Sequence, residues 1–321
     1  MKALKGIALS IAVLAAPGVA NAAWPERPIK LVVPYAPGGY TDSVGRMTAR
    51  YMEKTLGKPV IVENRGGAGG IVGSDLVAKS APDGYTFCVC SVGAISVAPI
   101  AQKTEYDPVK SFTPISIVST IPQTVIVNPK LPVKTIEELV TYAKANPGKL
   151  NFGSSGAGGL MNYSVELFQS RTGTKMMHVP FAGGAPATAA VVANEVDLSF
   201  TNMTDALPQM EANKVRALAV TSLKRSPFAP NLPTVQESVI PGYNVESWNA
   251  VMGPAGVPAD IVARLSKVLE DMSKDKDVID AMAKVGATTE FTTPDAFAKR
   301  IESEVAQWRG LLTEIANKEK K

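Results

Sequence analysis

The sequence predicts an α/β protein built as two lobes with a ligand cleft between them, and three observations carry that prediction. Short aliphatic runs alternate with helical stripes along most of the chain. Glycine-rich loops lie between run and stripe, as in "VVPYAPGGYTD", "ENRGGAGG", "GSSGAGG" and "AGGAPA". Proline-rich stretches at 114–132 and at "SPFAPNLPTV" divide the series into two halves, and helices return after the second.

Ile29 to Val33 is aliphatic throughout, as in a parallel strand buried on both faces. Val44, Met47, Thr48, Tyr51 and Met52 then recur with the spacing of a helix lying on a sheet, and Gly57 stands where a left-handed cap belongs. Pro59 to Val62 reads as the next strand, Ile71 to Lys79 as the next helix, and Tyr85 to Cys90 as a third strand that opens into the small-residue loop "SVGAIS". After the first proline-rich stretch, "TIEELVTYAKANPG" is a helix with a threonine cap and a glycine stop. A second series follows: "LNF", "KMMHVPF", "VDLSF" and "VRALAVTS" are its strands. A strand near Trp248 and two long helices, about 258–274 and 294–317, end the chain. The predicted division is therefore 24–123 with 228–321 as one lobe and 124–227 as the other, each with a mostly parallel sheet.

Residues 1–22 are laid out as an export signal, with Lys2 and Lys5 ahead of an apolar run and small residues up to Ala22, where cleavage is expected. The run is too short to span ~30 Å of hydrocarbon. About 300 residues remain, enough for two domains. The formal charge of +4 falls to +2 without the two leader lysines, and the basic residues are scattered, so nucleic acid is not an expected partner. Cys88 and Cys90 are expected to be two packed thiols, because a bridge closing so short a loop would be strained.

In an open α/β sheet, ligands collect where strands end and helices begin. Gly38-Gly39, Ser154-Ser155-Gly156 and Ala182-Gly183-Gly184 fall at such places, with no arginine or lysine inside the loops. Small residues let the main chain close on a ligand, and free N–H groups at a helix start suit an anion. A carboxylate held by neutral hydrogen bonds is the chemistry this pattern favours. Each loop has a plainer reading: Thr41 or Asp42 can cap a helix, Asp42 can pair with Arg46, and "GSSG" can be an ordinary turn. Three such loops shared between two lobes favour the cleft.

"GAGGIVG" is out of step with G-x-G-x-x-G, and no P-loop is present. His178, the one histidine, lies in an apolar strand where a structural imidazole is the default. "GSSGAG" is not a G-x-S-x-G elbow, and no metal-ligand cluster is evident. Neither an enzyme, a cofactor nor a metal is expected.

The order and wording of the segments "WPERPIKLVVPYAPGGYTD", "GKPVIVENRGGAGGIVG", "AKSAPDGYTF", "NFGSSGAGG", "HVPFAGGAPA", "VRALAVTS", "LPTVQES" and "GPAGVPADIVARL" resemble the extracytoplasmic solute receptors of tripartite tricarboxylate transporters, the Bug receptors. The resemblance implies a two-lobed periplasmic binding protein of type II-like architecture, monomeric, that closes on a small organic acid and delivers it to a membrane permease. It also implies that the loop from Tyr35 through Gly38, Gly39, Tyr40, Thr41 and Asp42 faces Ser154, Ser155 and Gly156 across the cleft. Ala182 and Gly183 would add main-chain groups, Ser91 and Asn202 join the candidate set, and Trp248 is either a ring stacked on the ligand at the cleft mouth or a core aromatic, the core reading being at least as well supported. Tyr40 stands where the family usually has a small residue, Asn162 where many members have histidine, and Gly66 where proline is common. Tyr40 is therefore expected to reshape or lid the pocket and to favour a flat or aromatic acid. Citrate-like tricarboxylates, dicarboxylates, acidic amino acids and aromatic acids all remain open as ligands. The rivals are a secreted serine hydrolase and a sensory receptor without transport.

Overall fold

The computed structural model describes residues 24–319 except 157 and 158; the expected leader lies outside the described residues. Strand β1 (Ile29–Val33) is covered on both faces except at Lys30 and runs parallel to β2 (Val60–Asn64) on one side and to β3 (Thr86–Ser91) on the other. Helix α1 (Tyr40–Leu56) turns Val44, Thr48 and Met52 onto that sheet and ends at Gly57, whose φ of 70° is the left-handed stop the sequence implies. Helix α2 (Ile71–Ala78) follows β2. Beyond β3, where the sequence suggests a loop, the chain winds instead through a π-helical turn at 93–97 into α3 (Ala98–Ala101).

The first proline-rich stretch is not a connection. It contains a single 16-residue strand, β4 (Phe112–Val127), that belongs to both halves of the molecule. Phe112 to Pro122 pair with β9 (Glu246–Pro254), whereas Gln123 to Val127 pair with β7 (Leu198–Asn202). The prolines sit where their missing N–H is tolerated: Pro114 adjoins a register shift, and Pro122 is the last residue paired to β9 before β4 changes partner. Strand β8 (Arg216–Val220) also pairs with the second half of β4.

The second half contains α4 (Ile136–Ala145), capped by Thr135 as expected, then β5 (Asn151–Ser154), α5 (Leu160–Thr172), β6 (Met177–Pro180), α6 (Gly184–Ala193) and α7 (Met203–Glu211). The return to the first half passes through α8 (Val235–Ser238) and β9, and the chain ends with α9 (Ala259–Lys274), α10 (Lys276–Ala283), β10 (Thr288–Thr289) and α11 (Pro294–Glu319). Among the named strands of the described residues, the parallel pairs lie in β2-β1-β3 and β6-β5-β7, and the centre, where β4 leaves and β9 returns, is antiparallel. The fold is therefore mixed α/β, less parallel than the sequence implies, because strands that leave and return between lobes must run in opposite directions.

Cys88 and Cys90 are bonded to each other, which corrects the expectation of two thiols. Alternate residues of β3 put both sulfurs on one face, and their Cα atoms lie 5.3 Å apart, inside the usual range for a bridge. Among the described residues no helix is long and apolar enough to cross a membrane.

Candidate functional site

Three helices whose starts the sequence singled out begin on glycine with no side chain capping them: α1 on Gly39, α5 on Gly159 and α6 on Gly183. Each follows the carboxyl end of a strand, β1, β5 and β6, so first-turn N–H groups collect there with the positive end of the helix dipole. Gly38 requires its glycine in the loop before α1, with φ of 89°. Gly183, at φ of 152°, likewise takes a conformation open to glycine.

Asp42 does not cap α1. It reaches back to organise the loop: one carboxylate oxygen accepts from the Gly38 N–H (2.9 Å) and from Arg46 Nε (3.0 Å), the other from Asn64 Nδ2 (2.8 Å). Burial pushes this carboxyl up, but the Arg46, Gly38 and Asn64 hydrogen bonds together with the Arg46 charge outweigh it and hold Asp42 below the usual carboxylate range. Asn64 also donates to the Tyr35 carbonyl, tying β2 to the loop. At the other end, the Tyr35 hydroxyl donates to Gly69 O and lies 2.6 Å from Ser91 Oγ. Thr41 is buried in the first turn, while Gly38 and Gly39 are exposed.

Tyr40 is no lid: it is 6% exposed, and its hydroxyl donates to Ser119 Oγ on β4 at 2.9 Å. Trp248 is not at a cleft mouth either. Its ring is fully covered, packs edge-on to Phe297 at 5.2 Å and donates from Nε1 to Glu304. Alternation along β9 decides this, because Trp248 shares the core face with Ala250 and Met252, whereas Asn249 points the other way.

In the second lobe, Ser154 is completely buried and its Oγ lies 2.6 Å from His178 Nε2, with Gly156 N donating to it at 3.2 Å. The imidazole stacks on Phe152 at 4.9 Å, and burial lowers its pKa. Ser154 is the hydrogen-bonding partner of the ring, a contact the sequence did not indicate. Ser155 and Gly156 are partly exposed beside it, as is Gly183, and Ala182 is exposed. Asn202 stands at the N-cap of α7 yet makes no cap bond, and its Oδ1 is buried without a partner.

Two residues of this floor escaped sequence reasoning. Gln123, directly opposite Asn202 across β4 and β7, has neither side-chain polar atom paired. Asn249 is fully buried, its amide beside the Tyr40 hydroxyl. Polar residues interrupting otherwise apolar strands, "PQTVIV" and "SWNAVM", were the available signal. Asp205, in the first turn of α7, lies against Gly184; burial pushes its carboxyl up to about 6, partly opposed by a Thr201 hydrogen bond. It lines a hollow of about 440 Å³ between α6 and α7 that also includes Thr188 and Lys214.

Residues 44–317 match the model of the tripartite tricarboxylate transporter family receptor. The chain belongs to that family. BugT of Bordetella pertussis is 36% identical over 322 residues, covering 98% of this chain and 97% of BugT. The periplasmic binding protein BugD superposes with a TM-score of 0.83 at 35% identity, over 91% of this chain and 99% of BugD. A Rhodopseudomonas palustris receptor, MatC, solved with bound malate, gives a TM-score of 0.82 at 32% identity, over 90% of this chain and 99% of MatC. R. palustris Rpa4515, solved with adipate, gives 0.86 at 32% identity, over 91% and 98%. As in this receptor family, the fold is that of two-domain periplasmic binding proteins, and the uncapped helix starts lie at strand ends in both domains.

Proposed function

We propose that this receptor is exported to the periplasm, closes its lobes on a small organic carboxylate, and presents the closed form to a tripartite transporter permease. The observation that carries the reading is the set of helices α1, α5 and α6, each begun on glycine with no side-chain cap and each following a loop without lysine or arginine. Such groups suit an anion. The ligands printed for two structural relatives, malate and adipate, are both carboxylates.

In this reading the loop 35–42 and the loop 154–156 grip the carboxylate from opposite lobes, with Ala182 and Gly183 supplying main-chain groups. The lobes are 24–123 with 228–321, and 124–227; the change of β4 partner between Pro122 and Gln123 supports that division. Strand β4 pairs with strands of both halves, so closure is a hinge motion about β4 near its change of partner.

The test is calorimetric titration of the ligand-stripped mature chain with aliphatic and aromatic mono-, di- and tricarboxylates. Saturable binding of one acid class, unaccompanied by turnover, is the expected result. The Ser154–His178 contact makes hydrolysis the rival worth measuring, and any product formed from a candidate acid or its ester would overturn the reading. The absence of binding by every acid would do the same.

A further inference from the structure

We propose that His178, acting through Ser154, positions the loop 154–156 for its ligand, and that capture of a carboxylate draws a proton onto the imidazole, so that affinity rises as pH falls. The inference rests on the carboxylate-receptor reading above and goes on to name how that site is regulated.

His178 is directly opposite Phe152 in the parallel pair of β5 and β6, and Ser154 is two residues beyond Phe152, so all three side chains share one face of the sheet. Gly153 and Val179 are on the other face, where Val179 joins the core that includes Ala190 and Val191 of α6.

Ser154 Oγ carries one hydrogen and has two acceptors within reach, His178 Nε2 at 2.6 Å and Gly156 O at 3.0 Å, while it accepts from the Gly156 N–H at 3.2 Å. The ring decides between them. When Nε2 carries a hydrogen, the ring donates to Oγ and the hydroxyl hydrogen turns to Gly156 O, so Ser154 holds that residue by both its N–H and its carbonyl. When Nε2 is bare, the hydroxyl donates to the ring and the carbonyl loses its bond. Gly156 O also accepts from the N–H of Gly159, the residue on which α5 begins, at 3.4 Å. The carbonyl under the ring's control therefore joins the strand end to the helix start.

In the free receptor, burial lowers the imidazole pKa below the ordinary value of about 6.5, so the ring is largely neutral at neutral pH. Tyr163, Glu166 and Arg171 on α5, Lys149 and Lys175 ahead of the two strands, and Asp197 ahead of β7 are the titratable groups of the surrounding elements, and burial rather than any of these charges sets the direction. An imidazolium suits the contact, since it must donate from Nε2 and Ser154 can accept. A carboxylate seated at the loop favours that charged form and raises the pKa. By linkage, the acid then binds more tightly as pH falls through the ring's value in the complex, and the gain levels off below its value in the free receptor. Asp205, raised to about 6 and lying against Gly184, also changes charge in this range, so its share must be removed separately.

His178 is the one histidine of the chain, so imidazole nitrogen NMR reports on it directly. The stripped, untagged receptor is titrated from about pH 8 to about pH 5, free and with propionate, malate, adipate, citrate, glutamate or benzoate. In the free receptor the Gly156 amide resonance should titrate together with the ring, and Ser154→Ala should break that link while the ring still titrates. A bound acid should raise the ring's pKa, and its affinity, expressed for the fully ionised acid, should be about tenfold higher at the acid end of the range. That ratio should persist in Asp205→Asn and fall below about twofold in His178→Gln, whose amide nitrogen can donate as Nε2 does but takes up no proton. A ring pKa that is the same with and without bound acid, a Gly156 amide that ignores the ring, or a pH dependence that survives in His178→Gln overturns the inference and leaves the receptor reading intact. Should His178→Gln not fold, the titrations of the unaltered receptor decide alone. Failure of every acid to bind overturns the receptor reading itself, and the proton coupling with it.

Discussion

Replacing Asp42 by Asn should loosen the loop between β1 and α1, and the structure sets the scale. The carboxylate receives three hydrogen bonds, at 2.8, 2.9 and 3.0 Å, from Asn64, Gly38 and Arg46. Asn keeps one acceptor oxygen but turns an NH2 group toward either Asn64 Nδ2 or the Gly38–Arg46 pair, so at least one buried bond becomes a donor facing a donor. The cost is about 2 kcal/mol, which lowers the unfolding midpoint by about 4 to 8 °C. Arg46→Gln is the control: the arginine side chain is 48% exposed, and an ion pair so placed contributes at most about 1 kcal/mol. Asn64→Leu removes the other side-chain partner, which is half-buried, and should resemble Asp42→Asn. Because the Asp42 pKa is depressed in the fold, its contribution is present above its unfolded value of about 3.9 and is lost as pH falls through the folded value, so the Asp42→Asn deficit should shrink in acid. Thermal melts of the three variants from pH 3 to pH 7 (~0.5-unit steps) read all of this. If Arg46→Gln proved as costly as Asp42→Asn while Asn64→Leu were neutral, the loop would be held by the ion pair and the reasoning would be wrong.

Asp205→Asn should stabilise the receptor above pH 6, because a carboxyl raised to about 6 from 3.8 destabilises the fold progressively as pH rises between those values. The gain should approach 3 kcal/mol at most, by about 1.4 kcal/mol per unit, and be absent near pH 3.8; a gain that persists in acid would refute it. Alkylation of the unfolded, unreduced protein should label neither Cys88 nor Cys90, and both should react after reduction; labelling before reduction would show free thiols instead. Tyr40→Phe should cost about 1 kcal/mol in urea unfolding by stranding the buried Ser119 hydroxyl, whereas a lid residue would show no such loss.

Much of the fold was legible because its signals are local. The α1 stripe, the Gly57 stop, the Thr135 cap and the strand runs of both halves depend on neighbours within a turn or two, and each lies where the sequence places it. The glycine loops at strand ends were legible for the same reason. The prolines of β4 misled because a local rule bars them from strand interiors, and only the register shift and the exchange of partners make room for them. In the sequence Trp248 stays open between cleft and core for a related reason: which face of β9 is core follows from what packs on it, and one step in alternation separates the covered indole from the buried amide of Asn249.

By itself, the sequence determined the recurring βα units, the neutral and glycine-rich character of the loops, and the family resemblance, since all of these are written in contiguous residues. Only the tertiary structure decided that Asp42 holds its loop instead of capping a helix, that Ser154 meets His178, and that Ser91, Asn249 and Ser119 form one row. Those contacts join segments remote in the chain through strand register, and register is set by the packing of the whole sheet, which no local pattern encodes.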